Sequence, residues 1–336
     1  MSEITVGGQA VIEGVMIRAP ERVATAVRRQ DGTIVVQSQP YTALAQRRKW
    51  LNIPILRGAV AFFEMLIIGV RSLNFSAEMA ARDIDANKGG QTPPPADSVE
   101  SEPKGMSTVA IVLTTMVGLG AGVFLFFFIP LWISKLLGLE KGAAGFNLMA
   151  GLVRVVLLVA YVWVLSQFAE FKRLFEYHGA EHKSIFAYEN AEDLSYENVK
   201  KYTTLHPRCG TSFLLIVALF AILVYSIADS IYQVAAGVPP PLLNRFALHF
   251  VLLPLVAGSS YELLKMSAKG QDRWWWRAMS APGLWLQRIT TREPDADQLE
   301  VAKIAMWSAL GMPMPETVKL LNSSSPTAAR LQDVAG

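Results

Sequence analysis

Three of the four histidines and the single cysteine of this 336-residue chain lie between Phe175 and Gly210, in a stretch that opens FEYHGAEHKSIFAYE and closes HPRCG. In His178-Gly179-Ala180-Glu181-His182 the two imidazoles are four residues apart. On a helix both project from one face and can share a cation about 2.0–2.1 Å from each nitrogen. Glu181, three residues after His178, is spaced to take a proton from a water at that cation, which is the H-x-x-E-H order of inverted zincins. Gly179 weighs against the helix, since glycine costs roughly 1 kcal/mol in a helix interior. A catalytic zinc takes a third protein ligand and keeps one position open. The candidates are His206, Cys209 and Glu262, in that order. The expected site is thus a divalent metal, zinc by its donor set, held by His178, His182 and one of His206, Cys209 and Glu262, with Glu181 as catalytic base. The competing account is structural: these side chains simply bond one another, loop carbonyls or lipid phosphate.

The elements that must position this group are apolar. The chain is 52% hydrophobic with a mean hydropathy of +0.31, and it contains runs of the length that crosses a bilayer. Four stretches qualify: Val109 to Ile133, Phe146 to Phe168, Thr211 to Val234 and Leu242 to Leu264. The expected fold is therefore an α-helical integral membrane bundle of about four transmembrane helices, with re-entrant or amphipathic helices and a small N-terminal β-rich cytoplasmic region. Basic residues set its orientation. Lys172, Arg173, Lys183, Lys200, Lys201 and Arg208 fall between the second and third spans, and Lys265, Lys269, Arg273, Arg277, Arg288 and Arg292 follow the fourth. The other face has only Lys135, Lys141 and Arg245. Both termini and the histidine segment should then be cytoplasmic. The first 25 residues lack the apolar core of a secretory signal. A net charge of +3, without a basic, aromatic-interleaved stripe outside the membrane-flanking segments, is too mild to argue for nucleic acid, and none is expected as a partner. With one cysteine, no intrachain disulfide can form.

Residues 1–50 read as the β-rich region, with a hairpin at Gln30-Asp31-Gly32 between Val23–Arg28 and Thr33–Gln37. In Gly7 to Arg18 the glycines suggest a turn leading into a strand rather than a ligand loop. Residues 51–84 form an amphipathic or re-entrant helix, because Arg57, Glu64 and Arg71 recur every seven residues on one face. A Pro-, Gly- and acid-rich linker at 85–106 should be disordered. The bundle then occupies 107–294, with its cytoplasmic segment at 170–210. Arg273-Trp274-Trp275-Trp276-Arg277 has the character of an interfacial belt, and Ala281–Ile289 is too short to cross. Residues 295–336 give an amphipathic helix, Asp295 to Leu310, and an unstructured tail from Asn322.

Within the spans, Arg154, Asp229 and His249 fall at similar depth. A charge buried there needs a partner, so Asp229 should contact Arg154 or His249 as an interhelical clamp. Gly118-x-x-x-Gly122 hints at a homo-oligomer.

Five ordered motifs resemble those of the YqhQ-like family of bacterial inner-membrane proteins: GGQAVIEGVMIR from Gly7, EYHGAEHKSIFAYE from Glu176, HPRCGTSFL from His206, YELLK from Tyr261 and PGLWLQRITTREP from Pro282. The resemblance covers nearly the whole chain apart from the linker and the tail. It implies an inner-membrane protein of a family labelled as predicted metal-dependent enzymes. Two functions follow as expectations. The first is a metal-dependent hydrolase at the cytoplasmic interface, acting on a membrane lipid, a lipid-linked intermediate or a membrane peptide. The second is a non-enzymatic adaptor or regulator docking a cytoplasmic protein partner, motivated by motif residues in GGQAVIEG and TTREP with no evident catalytic role.

Overall fold

Strand pairing at the N terminus follows from short β-branched runs separated by turns. In the computed structural model, which describes residues 6–89, 108–139, 142–269 and 273–322, β1 (Gly7–Val11) and β2 (Gly14–Arg18) form a hairpin in which Val11 faces Gly14. Glu13 turns the chain there with a positive φ of 52°. The expected Asp31-Gly32 hairpin joins β3 (Arg22–Arg28) to β4 (Ile34–Pro40), with Gly32 at φ 82°. A parallel fifth strand, β5 (Lys319–Asn322), closes the sheet in the order β1-β2-β3-β4-β5. The C-terminal segment therefore returns to the N-terminal sheet. Its four-residue strand is too short to show a period of two against the tail composition, and residues beyond 322 lie outside the described ones.

Side chains alternate across this sheet, as the pleat requires. Val11, Met16, Val27 and Val35 pack on Phe75 and Met79. These two belong to α2 (Leu56–Gly89), which follows the short α1 (Leu44–Arg47). Val15, Ile17, Ala24, Ala26 and Val36 face the opposite side. α2 is one helix of 34 residues. It continues past residue 84, where the linker was expected to begin, as far as Gly89, because Arg29 and Gln30 of the sheet anchor its far end through Asp83 (Arg29 Nε–Oδ1 2.8 Å, Gln30 N–Oδ2 3.0 Å). The remainder of the expected linker lies outside the described residues.

The apolar helices come next. α3 (Thr108–Val123), a π-helical turn at Phe124–Phe128 and α4 (Ile129–Leu136) run on as one rod. Then come α5 (Ala143–Leu165), α6 (Ala169–Glu189), the short α7 (Tyr196–Lys200), α8 (Gly210–Ala236), α9 (Leu242–Val251) and α10 (Leu253–Lys269). Among the described residues, three helices are long and apolar enough to cross a membrane, or four if α9 and α10, bent by 48°, count as one. α11 (Trp274–Thr290) is a single helix through the tryptophan cluster and Pro282. It packs on α8, where Gly283 lets Ser212 approach its backbone.

α12 (Ala296–Leu310) starts at a capping box between Asp295 and Gln298. Its Leu299, Ala302, Met306 and Ala309 are buried as one face, but Val301, Ile304 and Ala305 are buried too. The amphipathic pattern expected from the sequence thus belongs to a core helix, held between the sheet and α6. Inside the bundle, Asp229 pairs with His249 (3.0 Å) as expected. Its arginine partner, however, is Arg245 (3.2 Å) and not Arg154. Arg245, counted from the sequence as a water-facing loop charge, is buried.

Candidate functional site

α5 does not run on into the histidine segment. Ser166 Oγ (2.7 Å) and Gln167 Nε2 (3.0 Å) both donate to the Trp163 carbonyl, satisfying an end-of-helix acceptor, and Phe168 adopts extended backbone (φ −81°, ψ 143°). α6 then starts afresh and places His178, Glu181 and His182 on adjoining turns of one helix. The glycine that weighed against this helix has a packing reason. A Cβ on Gly179 would collide with the carbonyl oxygen of Arg292, and Arg292 N donates to Phe175 O (2.9 Å) just beside it. The TTREP segment therefore lies directly along α6.

That close approach orients the rings. His178 Nδ1 is 2.8 Å from Thr290 O, and His182 Nδ1 is 2.5 Å from Thr204 O. A carbonyl only accepts, so each Nδ1 carries a proton and Nε2 is the nitrogen left to each ring as a ligand atom. His178 Nε2 points at Cys209 Sγ, 3.2 Å away, and the thiol also hydrogen-bonds to His182. Cys209 is the N-cap of α8, where Thr211 N donates to Sγ (3.4 Å). Ligand atoms of His178, His182 and Cys209 all lie within 4.8 Å of one another. Tetrahedral zinc with Zn–N near 2.1 Å and Zn–S near 2.3 Å holds its donors about 3.5 Å apart, so this set fits zinc with small movements. Carbonyls behind both imidazoles match the outer partners that metal-bound histidines use. His182 and Cys209 are buried and His178 is partly open.

Glu181 lies beneath β1. A Cβ on Gly8 would come within 2.7 Å of its carboxylate arm, and the Gly8 backbone hydrogen-bonds to it. Its Oε2 is 3.9 Å from His178 Nε2. Burial raises the Glu181 pKa, opposed by His178, His206 and the Gly8 hydrogen bond. Burial, then the neighbouring His178, lowers that of His182. Burial alone brings His206 down to about 4.

Two expected ligands stand apart from this group. His206 is buried with its ring centre 5.6 Å from that of His182. Its Nδ1 accepts from Arg208 N (3.2 Å), and its Nε2 sits 3.5 Å from Glu189 Oε2. Its backbone is gripped by Gln287, which accepts from His206 N (2.7 Å) and donates to His206 O (2.8 Å). His206 therefore shapes the turn that presents Cys209. Glu262 is engaged elsewhere, in a two-point pair with Arg57 of α2 (Oε1–Nε 2.6 Å). The residue types on one end of the bundle did not distinguish these roles.

Sequence reasoning missed the supporting residues Gly8, Thr204, Gln287 and Thr290. It also missed Glu13, whose carboxylate at the tip of the first hairpin binds Arg173 (2.7 Å) and Tyr177 Oη (3.3 Å) of α6. All but Thr204 lie in the quoted motifs, and that was their only signal, because which backbone or side chain approaches a residue leaves no mark in its type.

The family model described as "Protein of unknown function (DUF1385)" matches residues 53–312. A relative from Bacillus subtilis (strain 168), named "Uncharacterized protein YqhQ", is 33% identical over 304 residues, which cover 88% of this chain and 89% of the relative. No solved structure matches the chain. With most of its length matched by both, the chain belongs to the YqhQ-like family of DUF1385 proteins.

Proposed function

We propose that this protein is a membrane-embedded, metal-dependent hydrolase of the bacterial inner membrane, with its site at the cytoplasmic rim. The observation that carries the reading is the convergence of His178 Nε2 and His182 on Cys209 Sγ (3.2 Å from His178), with each Nδ1 tied to a carbonyl. His178, His182 and Cys209 would hold a zinc ion. When bound, the ion would supply Lewis-acid chemistry. Thr290 and Thr204 fix the tautomers of the two ligand rings. Glu181, whose pKa burial raises, takes the proton of the attacking water at a carboxylate oxygen and returns it to the leaving group. The apolar helices favour a lipid, a lipid-linked or a membrane-peptide substrate. The excess of basic residues on the histidine side supports a cytoplasmic site, the more so because Arg245 is not a surface charge of the other side.

The adaptor reading drew on motif residues without a catalytic role. Gly8 on Glu181 and Arg292 on Gly179 give several of them a role in building the site, which favours the enzyme. The test is metal content of the purified full-length protein beside His178→Ala, His182→Ala and Glu181→Gln. One transition metal per chain is expected in the wild type and Glu181→Gln, and a loss in the other two. A folded wild type that never holds a transition metal removes the proposal.

A further inference from the structure

A second polar cluster lies inside the bundle, among α5, α8, α9 and the π-helical turn before α4, and owes nothing to the histidine–cysteine group. Asp229 is its hub, accepting from Asn147 Nδ2 (2.9 Å) and facing Arg245 Nε (3.2 Å) and His249 Nε2 (3.0 Å). All four side chains are buried. The carboxylate charge is thus matched by Arg245. Arg154, also buried, has no carboxylate partner among the described residues. Its Nε donates to Phe126 O (3.2 Å) in the π-helical turn, a local winding that occurs frequently at functional sites. The guanidinium carbon lies over the rings of Phe127 (5.3 Å) and Tyr225 (5.5 Å). Those contacts occupy the faces and one edge of the group. Nη1 and Nη2 remain, buried and without a hydrogen-bond partner among the described residues, and so does Tyr225 Oη.

Two buried guanidinium groups against one carboxylate leave one positive charge without a counter-charge in the cluster. Such a charge is costly in a protein interior. The unused edge is the planar fork that binds an oxyanion through two parallel N–H···O bonds. We propose that this cluster is an oxyanion site, in which Arg154 holds a singly charged phosphate or carboxylate group at its Nη edge and Tyr225 Oη donates to the same group. The oxyanion comes either free from solution or on a lipid headgroup. A cleft of about 230 Å³, lined by Gly120, Val123, Phe124, Phe128 and Phe246, opens on the bundle surface beside the same π-helical turn. Phe246 of its lining packs on Phe127 (5.9 Å), the ring over which the Arg154 guanidinium lies.

The test uses full-length protein in a neutral detergent. Thermal unfolding is followed against inorganic phosphate and acetate at fixed ionic strength, and native mass spectrometry scores retained phospholipid. A free anion is expected to raise the unfolding temperature of the wild type, with its half-effect concentration shifted at least ~tenfold in Arg154→Gln and a few-fold in Tyr225→Phe. A lipid source would instead show one phospholipid retained by the wild type and lost in Arg154→Gln. Wild type that neither responds to these anions nor retains a phospholipid overturns the proposal, and so does a response identical in both variants. Should Arg154→Gln fail to fold, an unshifted Tyr225→Phe overturns it as well.

Discussion

The α-carbon of Gly179 lies against the carbonyl oxygen of Arg292, with no room for a side chain between them. Helix propensity alone would make Gly179→Ala stabilising by about 1 kcal/mol. Steric conflict with a fixed backbone reverses that sign. Gly179→Ala should destabilise the protein by ~1–3 kcal/mol and loosen the bond of His178 to Thr290, which is measurable as a lower unfolding temperature and weaker zinc retention together. A stabilised Gly179→Ala would mean that α6 and the TTREP segment are not in contact.

Cys209 and His206 were ranked the other way round by sequence. With the thiol 3.2 Å from His178 Nε2 and the His206 ring nitrogens facing Arg208 N and Glu189, Cys209→Ser should weaken zinc binding by more than the ~10–100-fold typical of losing an outer-shell partner. His206→Asn should weaken it by less. Competition with a chromophoric chelator reads both, and the reverse order would restore His206 as third ligand.

Acid stability follows from His206. Burial lowers its pKa to about 4 from the ordinary ~6.5, so the unfolded chain takes the proton first. Stability from this group is complete above the unfolded value and is lost as the pH falls from about 6.5 to about 4, by up to ~3 kcal/mol. His182, also lowered, acts in the same direction. Glu181, raised by burial, acts oppositely: its contribution is present at low pH and lost as the pH rises through its folded value. Metal-free wild type compared with His206→Asn isolates the His206 component. The variant should show a flatter fall in unfolding free energy across that window, and parallel curves would refute the assignment.

Glu262 should matter for stability and not for metal. Its pair with Arg57 ties α10 to α2, and a charge-assisted pair of this kind contributes about 1.5–3 kcal/mol. Glu262→Gln is therefore expected to lower the unfolding temperature while leaving zinc content at the wild-type level. A loss of zinc without destabilisation would return Glu262 to the ligand set.

Much of the fold could be read directly from the residue pattern. The four apolar stretches, the Asp31-Gly32 hairpin and the helix from Asp295 each rest on a local signal: run length, a turn dipeptide, a capping pair. What was misread involves partners distant in sequence. Arg245 looked like a loop charge because its counter-ion, Asp229, lies on another helix. The burial of α12 on nearly every side depends on the sheet, through β2 and β3, and α6 closing over it, and a single helical stripe does not reveal that. Gly179 argued against a helix only while the Arg292 carbonyl was unknown.

The spacing of His178, Glu181 and His182 fixed by itself that two imidazoles and a carboxylate share one helical neighbourhood, because the geometry of a helix is local. Which fourth residue joins them was decided by tertiary structure alone. Gln287 fixes the turn before α8, the carbonyls of Thr204 and Thr290 set the ring tautomers, and Arg57 draws Glu262 away. Each of these is a contact between segments far apart in the chain, whose relative placement is fixed by packing rather than by the identity of the residues at either end.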